Sequence, residues 1–269
     1  MRPRFLTSIA VSMSICEGIE EYAEDNFRSE PWQVFEWHLV EGLVRTCEED
    51  RLVGLPGRGK AKAVIDGGLH LSAKRYLKSP GSTGFHGVYR TLAGDLGIEQ
   101  DGQLGEVGYK LVKAWEKDRD LVGFFGSADG EGRGEYGSLR KAIAKGLKKG
   151  KVAMSPGWVG WLFFSENLAI DHLGRGEKRV IKKALLDPES GHRKEVLEFL
   201  ASSEGRKAWG AGGGESVFHK ALMKVASREL KLLLKAIGAY EKFCRLLQDA
   251  YDDVIFELSR NKKAAEPSS

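Results

Sequence analysis

The chain has 269 residues, 42% of them apolar, and 42 basic against 38 acidic side chains for a formal net charge of +4. That is enough material for one large or two ordinary domains with a sizeable core, and no run of about 18 apolar residues is present to span a bilayer. Cys16, Cys47 and Cys244 lie far apart without C-x-x-C spacing, which argues against a disulfide framework and a local zinc site and for buried thiols in a reducing compartment.

The N-terminal run "MRPRFLTSIAVSMSICEG" has two arginines but only a broken apolar stretch and no small-residue cleavage site, so the expected location is the cytoplasm, with no membrane partner. Ile9, Met13 and Cys16 at helical spacing predict a first helix. Phe35, Leu39, Leu43 and Cys47 at steps of four predict a second, with Pro31 in its first turn. Charge is segregated along this part of the chain. Residues 1–50 carry four arginines against eleven acids, and residues 51–90 carry eight basic side chains against Asp66 alone.

"GLPGRGKA", Gly54 to Ala61, has the glycines and lysine of a phosphate-binding loop but places Ala61 where a magnesium-ligating hydroxyl belongs. A strand should precede such a loop, and "EEDRLV" offers at most three residues of one. The run is therefore expected to be a tight turn whose amides and cations meet backbone phosphates, with a plain surface turn as the alternative. Downstream, Ala61–Ile65 reads as a short helix or strand, Ser72–Leu77 as a helix ended by Pro80, and Ser82–Leu96 as a helix with Phe85, Tyr89, Leu92 and Leu96 on its apolar face. A turn at Asp101-Gly102 and a helix bearing Tyr109, Leu111, Val112 and Trp115 follow.

From Leu71 to Trp115 the helix, glycine turn and "LGEVGYKLV" resemble the wing and following helix of a winged helix-turn-helix module, with Gly105 where threonine is usual. That resemblance implies a groove-facing helix over Ser82–Leu96, with His86 and Arg90 outward and Tyr89 at the border of the apolar face. The stretch "LPGRGKAKAVIDGGLHLSAKRYLKSPGSTGFHGVYRTLAGDLGI" is also similar to uncharacterised proteins found among bacterial phage-defence genes. This second resemblance implies DNA-related work inside a multi-protein system and carries over no catalytic motif.

Gly126–Ser138, with five glycines, reads as a flexible linker. Leu139, Ile143 and Leu147 then mark a basic amphipathic helix. Its stretch from Tyr136 to Ser165 is acid-free and carries Arg140, Lys141, Lys145, Lys148, Lys149 and Lys151. The aromatics Trp158, Trp161, Phe163 and Phe164 suit either a core or a stacking platform for single strands. After a second glycine-rich piece at Gly210–Ser216, the residues Leu233, Ile237, Tyr240, Cys244, Leu247, Tyr251, Val254 and Leu258 form the seam of a long helix that pairs with another.

The fold class expected is mainly α, a winged helix-turn-helix-like module followed by a helical domain with a long C-terminal helix. The domains read as 1–125, with the module at about 71–115, a linker at 126–138, a helical domain at 139–260 and a disordered tail at 261–269. No cofactor or metal is implied, because the six histidines lack ligand spacing and Glu229-Leu230-Lys231 lies on a helix rather than after a strand. The function expected is a non-enzymatic nucleic-acid-binding subunit of a bacterial assembly, antiviral in the second resemblance, with duplex DNA as partner. Its contacts would come from Arg58, Lys60, Lys62, Lys74, Arg75, Lys78, His86, Tyr89, Arg90, Arg140, Lys141 and Lys145. Other subunits, or a second copy, would bind through the C-terminal helix. The alternative is an interaction scaffold whose opposite charge blocks neutralise each other, the basic side chains meeting Glu20, Glu21, Glu24 and Glu41. A third reading is a nuclease whose carboxylates converge from distant segments.

Overall fold

The computed structural model describes residues 2–19, 29–126, 130–187, 191–210 and 214–264. Thirteen α-helices, a 3-10 helix and a two-stranded hairpin account for the regular structure among them. The chain divides into two units, Met1–Leu185 and Leu186–Ser269.

The first unit is built on α1 (Arg4–Cys16), a helix buried on nearly every side. Its short side chains help: Ser8 and Ser14 return their hydroxyls to the carbonyls of Arg4 and Val11, so both hydroxyls stay paired under close packing. Beside it, α2 (Pro31–Thr46) begins as expected at Pro31, with Glu30 and Gln33 forming a capping box. A 3-10 turn at Glu49–Leu52 leads to α3 (Arg58–Asp66). Residues 72–77, expected as a helix, are instead part of an irregular loop, and Pro80 starts a helix rather than ending one. The expected Ser82–Leu96 helix is two, α4 (Pro80–Thr83) and α5 (Phe85–Asp95), broken at Gly84.

The hairpin follows as read, β1 (Glu99–Gln100) pairing antiparallel with β2 (Gln103–Leu104) through Asp101 and Gly102, both at positive φ. Then come α6 (Glu106–Asp118), α7 (Glu131–Lys149), α8 (Gly160–Asn167) and α9 (Arg175–Leu185). Leu111, Val112 and Trp115 of α6 are buried as expected, but Tyr109 is exposed. Most of the expected linker at 126–138 is the start of α7, residues 127–129 lying outside the described residues. Glycine serves close approach here, since a Cβ on Gly132 would stand 2.2 Å from the Leu121 carbonyl oxygen. The helix α7 packs against α1, α2 and α8.

In the second unit, α10 (Arg193–Ala201), α11 (Ser203–Gly210), α12 (Gly214–Val225) and α13 (Arg228–Ala264) follow in order. Their small core holds Ala208, Phe218, Leu222, Ala226 and Leu230. Glu195 of α10 accepts the Ser227 hydroxyl at 2.9 Å, and that hydroxyl caps the Leu230 N–H of α13. Residues 211–213, within the second glycine-rich piece, lie outside the described residues, as do 265–269 of the expected tail, whose residues 261–264 belong to α13.

Candidate nucleic-acid interface

Gly57 caps α3 in the left-handed region at φ 71°. A Cβ there would come within 2.6 Å of the Tyr76 ring, so glycine answers both a backbone and a packing demand. Tyr76 is 1% exposed and donates its hydroxyl to the Pro56 carbonyl at 3.1 Å. This one aromatic side chain fastens the loop 72–78 to the turn 54–57. The cations of both segments therefore share one region of surface.

The neighbouring segment is held from a different direction. Glu41, fully buried, accepts the Leu71 N–H at 2.9 Å and binds His70 and Arg45. The Leu71 carbonyl accepts the Val152 N–H at 2.9 Å, and Ser72 forms an antiparallel bridge with Lys151. Two basic stretches far apart in sequence are thereby brought together, the end of α7 with Lys149 and Lys151 beside the loop with Lys74 and Arg75. Lys60, Lys74, Arg75, Lys78, Lys149 and Lys151 are all exposed. Among the described residues Lys60, Lys74, Arg75 and Lys78 make no ion pair. Such a cluster of accessible, flexible cations is suited to phosphate oxygens.

Other expected contacts have different roles. Lys62 is ion-paired with Glu49, and Arg58 donates to the Glu49 carbonyl at 3.2 Å, so both cations partly serve the turn itself. His86 does not point outward. It is 6% exposed and stacks on Trp32 at 4.4 Å, and burial, with Arg90 adding to it, pulls its pKa down to about 4, which keeps it neutral. Tyr89 is 5% exposed, packed on Phe5 and accepting the Arg2 N–H. Arg90 is exposed but engaged with Glu99 at 3.0 Å. The expected groove-facing surface of α5 thus loses His86 to the core, and Tyr89, expected at the border of the apolar face, lies within it, because the apolar stripe of this helix is wider than its sequence suggests.

Arg140 closes the C-terminal end of α1, donating to the carbonyls of Ile15 at 2.8 Å and Glu17 at 2.6 Å. Lys141 and Lys145 on the same helix are exposed. Of the aromatics after α7, Trp161, Phe163 and Phe164 are core, at most 5% exposed, and Trp158 packs half-buried against Trp161 and Phe164. Glu41 is spent on Arg45, His70 and Leu71 rather than on the basic block, while Glu20, Glu21 and Glu24 lie outside the described residues.

Beneath the basic surface sits Glu36, fully buried, accepting the His86 N–H at 3.2 Å through Oε2. Burial raises its carboxyl to about 7. Burial, then Glu36 itself, pushes the Tyr76 phenol well above its ordinary range. The "GLPGRGKA" run follows a 3-10 turn and not a strand, so the scaffold of a nucleotide-binding loop is missing. Among the described residues no group of three or more His, Cys, Asp or Glu is placed to hold a metal ion. No helix among them is long and apolar enough to cross a membrane. No family model, characterised protein or solved structure matches the chain.

Proposed function

We propose that this protein is a non-enzymatic nucleic-acid-binding subunit that grips backbone phosphate through the surface joining Lys60, Lys74, Arg75, Lys78, Lys149 and Lys151, with duplex DNA as the favoured partner. The observation that carries the reading is the meeting of two basic stretches across the Ser72 to Lys151 bridge. A solvated charge run needs no such meeting, and a phosphate track does. In this reading the β1–β2 hairpin is a short wing and α6 the helix after it, and the protein belongs to a bacterial assembly of the phage-defence kind.

An interaction scaffold is favoured by one separate observation, the exposed apolar side chains of α13, and the two roles are compatible. The test is fluorescence anisotropy with labelled duplex and single-stranded oligonucleotides at several salt concentrations. Binding should fall with a log–log salt slope of about −0.9 per phosphate neutralised on duplex. Lys60→Ala/Lys74→Ala/Arg75→Ala, three exposed positions, should flatten that slope by about 3 units and leave the fold intact. Salt-independent binding, or none at low salt, overturns the reading.

A further inference from the structure

The helix α13 runs for 37 residues, about 55 Å at 1.5 Å per residue. Among the described residues, the small core takes in only its first turns, through Leu230 and, at its edge, Leu234. Beyond them Tyr240, Phe243, Leu246, Leu247, Tyr251, Val254 and Leu258 are each more than half exposed. An isolated helix is marginal in water, and one with this much apolar surface is built to be covered.

We infer that the cover is the same helix of a second copy, laid antiparallel about a two-fold axis near residues 245 and 246. The heptad positions of the seam are self-complementary in that orientation. One register pairs Leu233 with Leu258, Ile237 with Val254, Tyr240 with Tyr251 and Cys244 with Leu247 of the second copy, and symmetry repeats every pair, so each core layer is filled. On the flanks the same register sets Leu234 against Ile255, bulky Phe243 against small Ala250, and Glu241 against Gln248.

Charge selects the direction. Residues 231–245 carry four cations and Glu241, and residues 246–260 carry four acids and Arg260, so the halves on either side of the axis have net charges of +3 and −3. Antiparallel pairing lays each basic half along an acidic half. Parallel pairing sets like against like.

This deepens the reading of α13 as a partner-binding helix and is independent of the phosphate grip, so it is tested without nucleic acid. Light scattering coupled to size-exclusion chromatography of the full chain at micromolar concentration should give twice the chain mass. Leu247→Asp, at a 60% exposed position whose change cannot disturb the core of the unit, should return a monomer with an unchanged circular-dichroism spectrum. In a Cys244→Ser background, Leu233→Cys/Leu258→Cys should form a disulfide-linked dimer on mild oxidation, and neither single cysteine should. A monomeric parent chain, a higher oligomer, or cross-linking through either single cysteine, which signifies parallel pairing, overturns the inference.

Discussion

Glu36 and His38 lie two residues apart on α2, both fully buried, and burial acts on them in opposite directions. It raises the Glu36 carboxyl from 4.5 to about 7 and lowers His38 from 6.5 to about 4, so near pH 7 His38 is uncharged and Glu36 is protonated far more often than a solvated carboxyl. A folded-state carboxyl pKa above the unfolded one means that the native state binds the extra proton. That stability is fully present below pH 4.5 and is lost as pH rises through 7. The histidines His38 and His86 act the other way, contributing above 6.5 and losing that contribution as pH falls toward 4. Glu36→Gln keeps shape and removes the charge. Its expected effect in urea unfolding is small at pH 5 and stabilising at pH 8, by up to about 3 kcal/mol, since each pK unit is worth about 1.4 kcal/mol. An equal effect at both pH values would show that burial does not raise the carboxyl. None of this was legible in the sequence, where "VFEWHLVE" reads as an ordinary amphipathic helix and nothing distinguishes a buried Glu36 from a solvated one.

Buried carboxylates also fasten whole elements. Glu177, fully buried at the start of α9, takes the Gly174 N–H at 2.8 Å, the Thr7 hydroxyl at 2.8 Å and the Arg4 guanidinium at 2.5 Å. Thr7 and Arg4 both belong to α1, so one side chain closes the first unit between its first and last helices. Burial lowers Arg4 to about 10, which leaves it charged at neutral pH. Removing one partner of such a pair strands the other, so Glu177→Ala should cost about 3–5 kcal/mol in thermal or denaturant unfolding. A loss under 1 kcal/mol would mean that solvent reaches Arg4.

The contrast with α13 shows what sequence periodicity conveys at this scale. Steps of four and three mark the long C-terminal helix and the apolar positions of α2 and α7, and the Asp-Gly pair marks the turn at 101–102, because those signals are local. Pro80 is ambiguous in the sequence because proline both ends helices and starts them. The start of α7 is equally hidden in the sequence, because glycine serves flexibility and close contact equally well. The clamp from Glu177 to Arg4 and the bridge from Ser72 to Lys151 join residues too distant for any periodicity to connect.

At the scale of the molecule, the phosphate grip and the paired helix have a joint consequence that neither has alone. The basic surface lies in the first unit and α13 in the second, so an antiparallel dimer carries two grips in one assembly. A duplex too short to reach both should bind the parent chain and Leu247→Asp equally. A duplex long enough to reach both turns the second contact into an intramolecular one, at an effective concentration that gives tenfold or more in affinity for flexibly linked sites. The parent chain should therefore bind long duplex about tenfold or more tighter than short at the same salt, and Leu247→Asp should lose that advantage while keeping its salt dependence. The comparison requires no particular arrangement of the two units. A length advantage surviving in Leu247→Asp would place the second contact within one chain, and the absence of any advantage in a confirmed dimer would mean that the two grips cannot engage one duplex together.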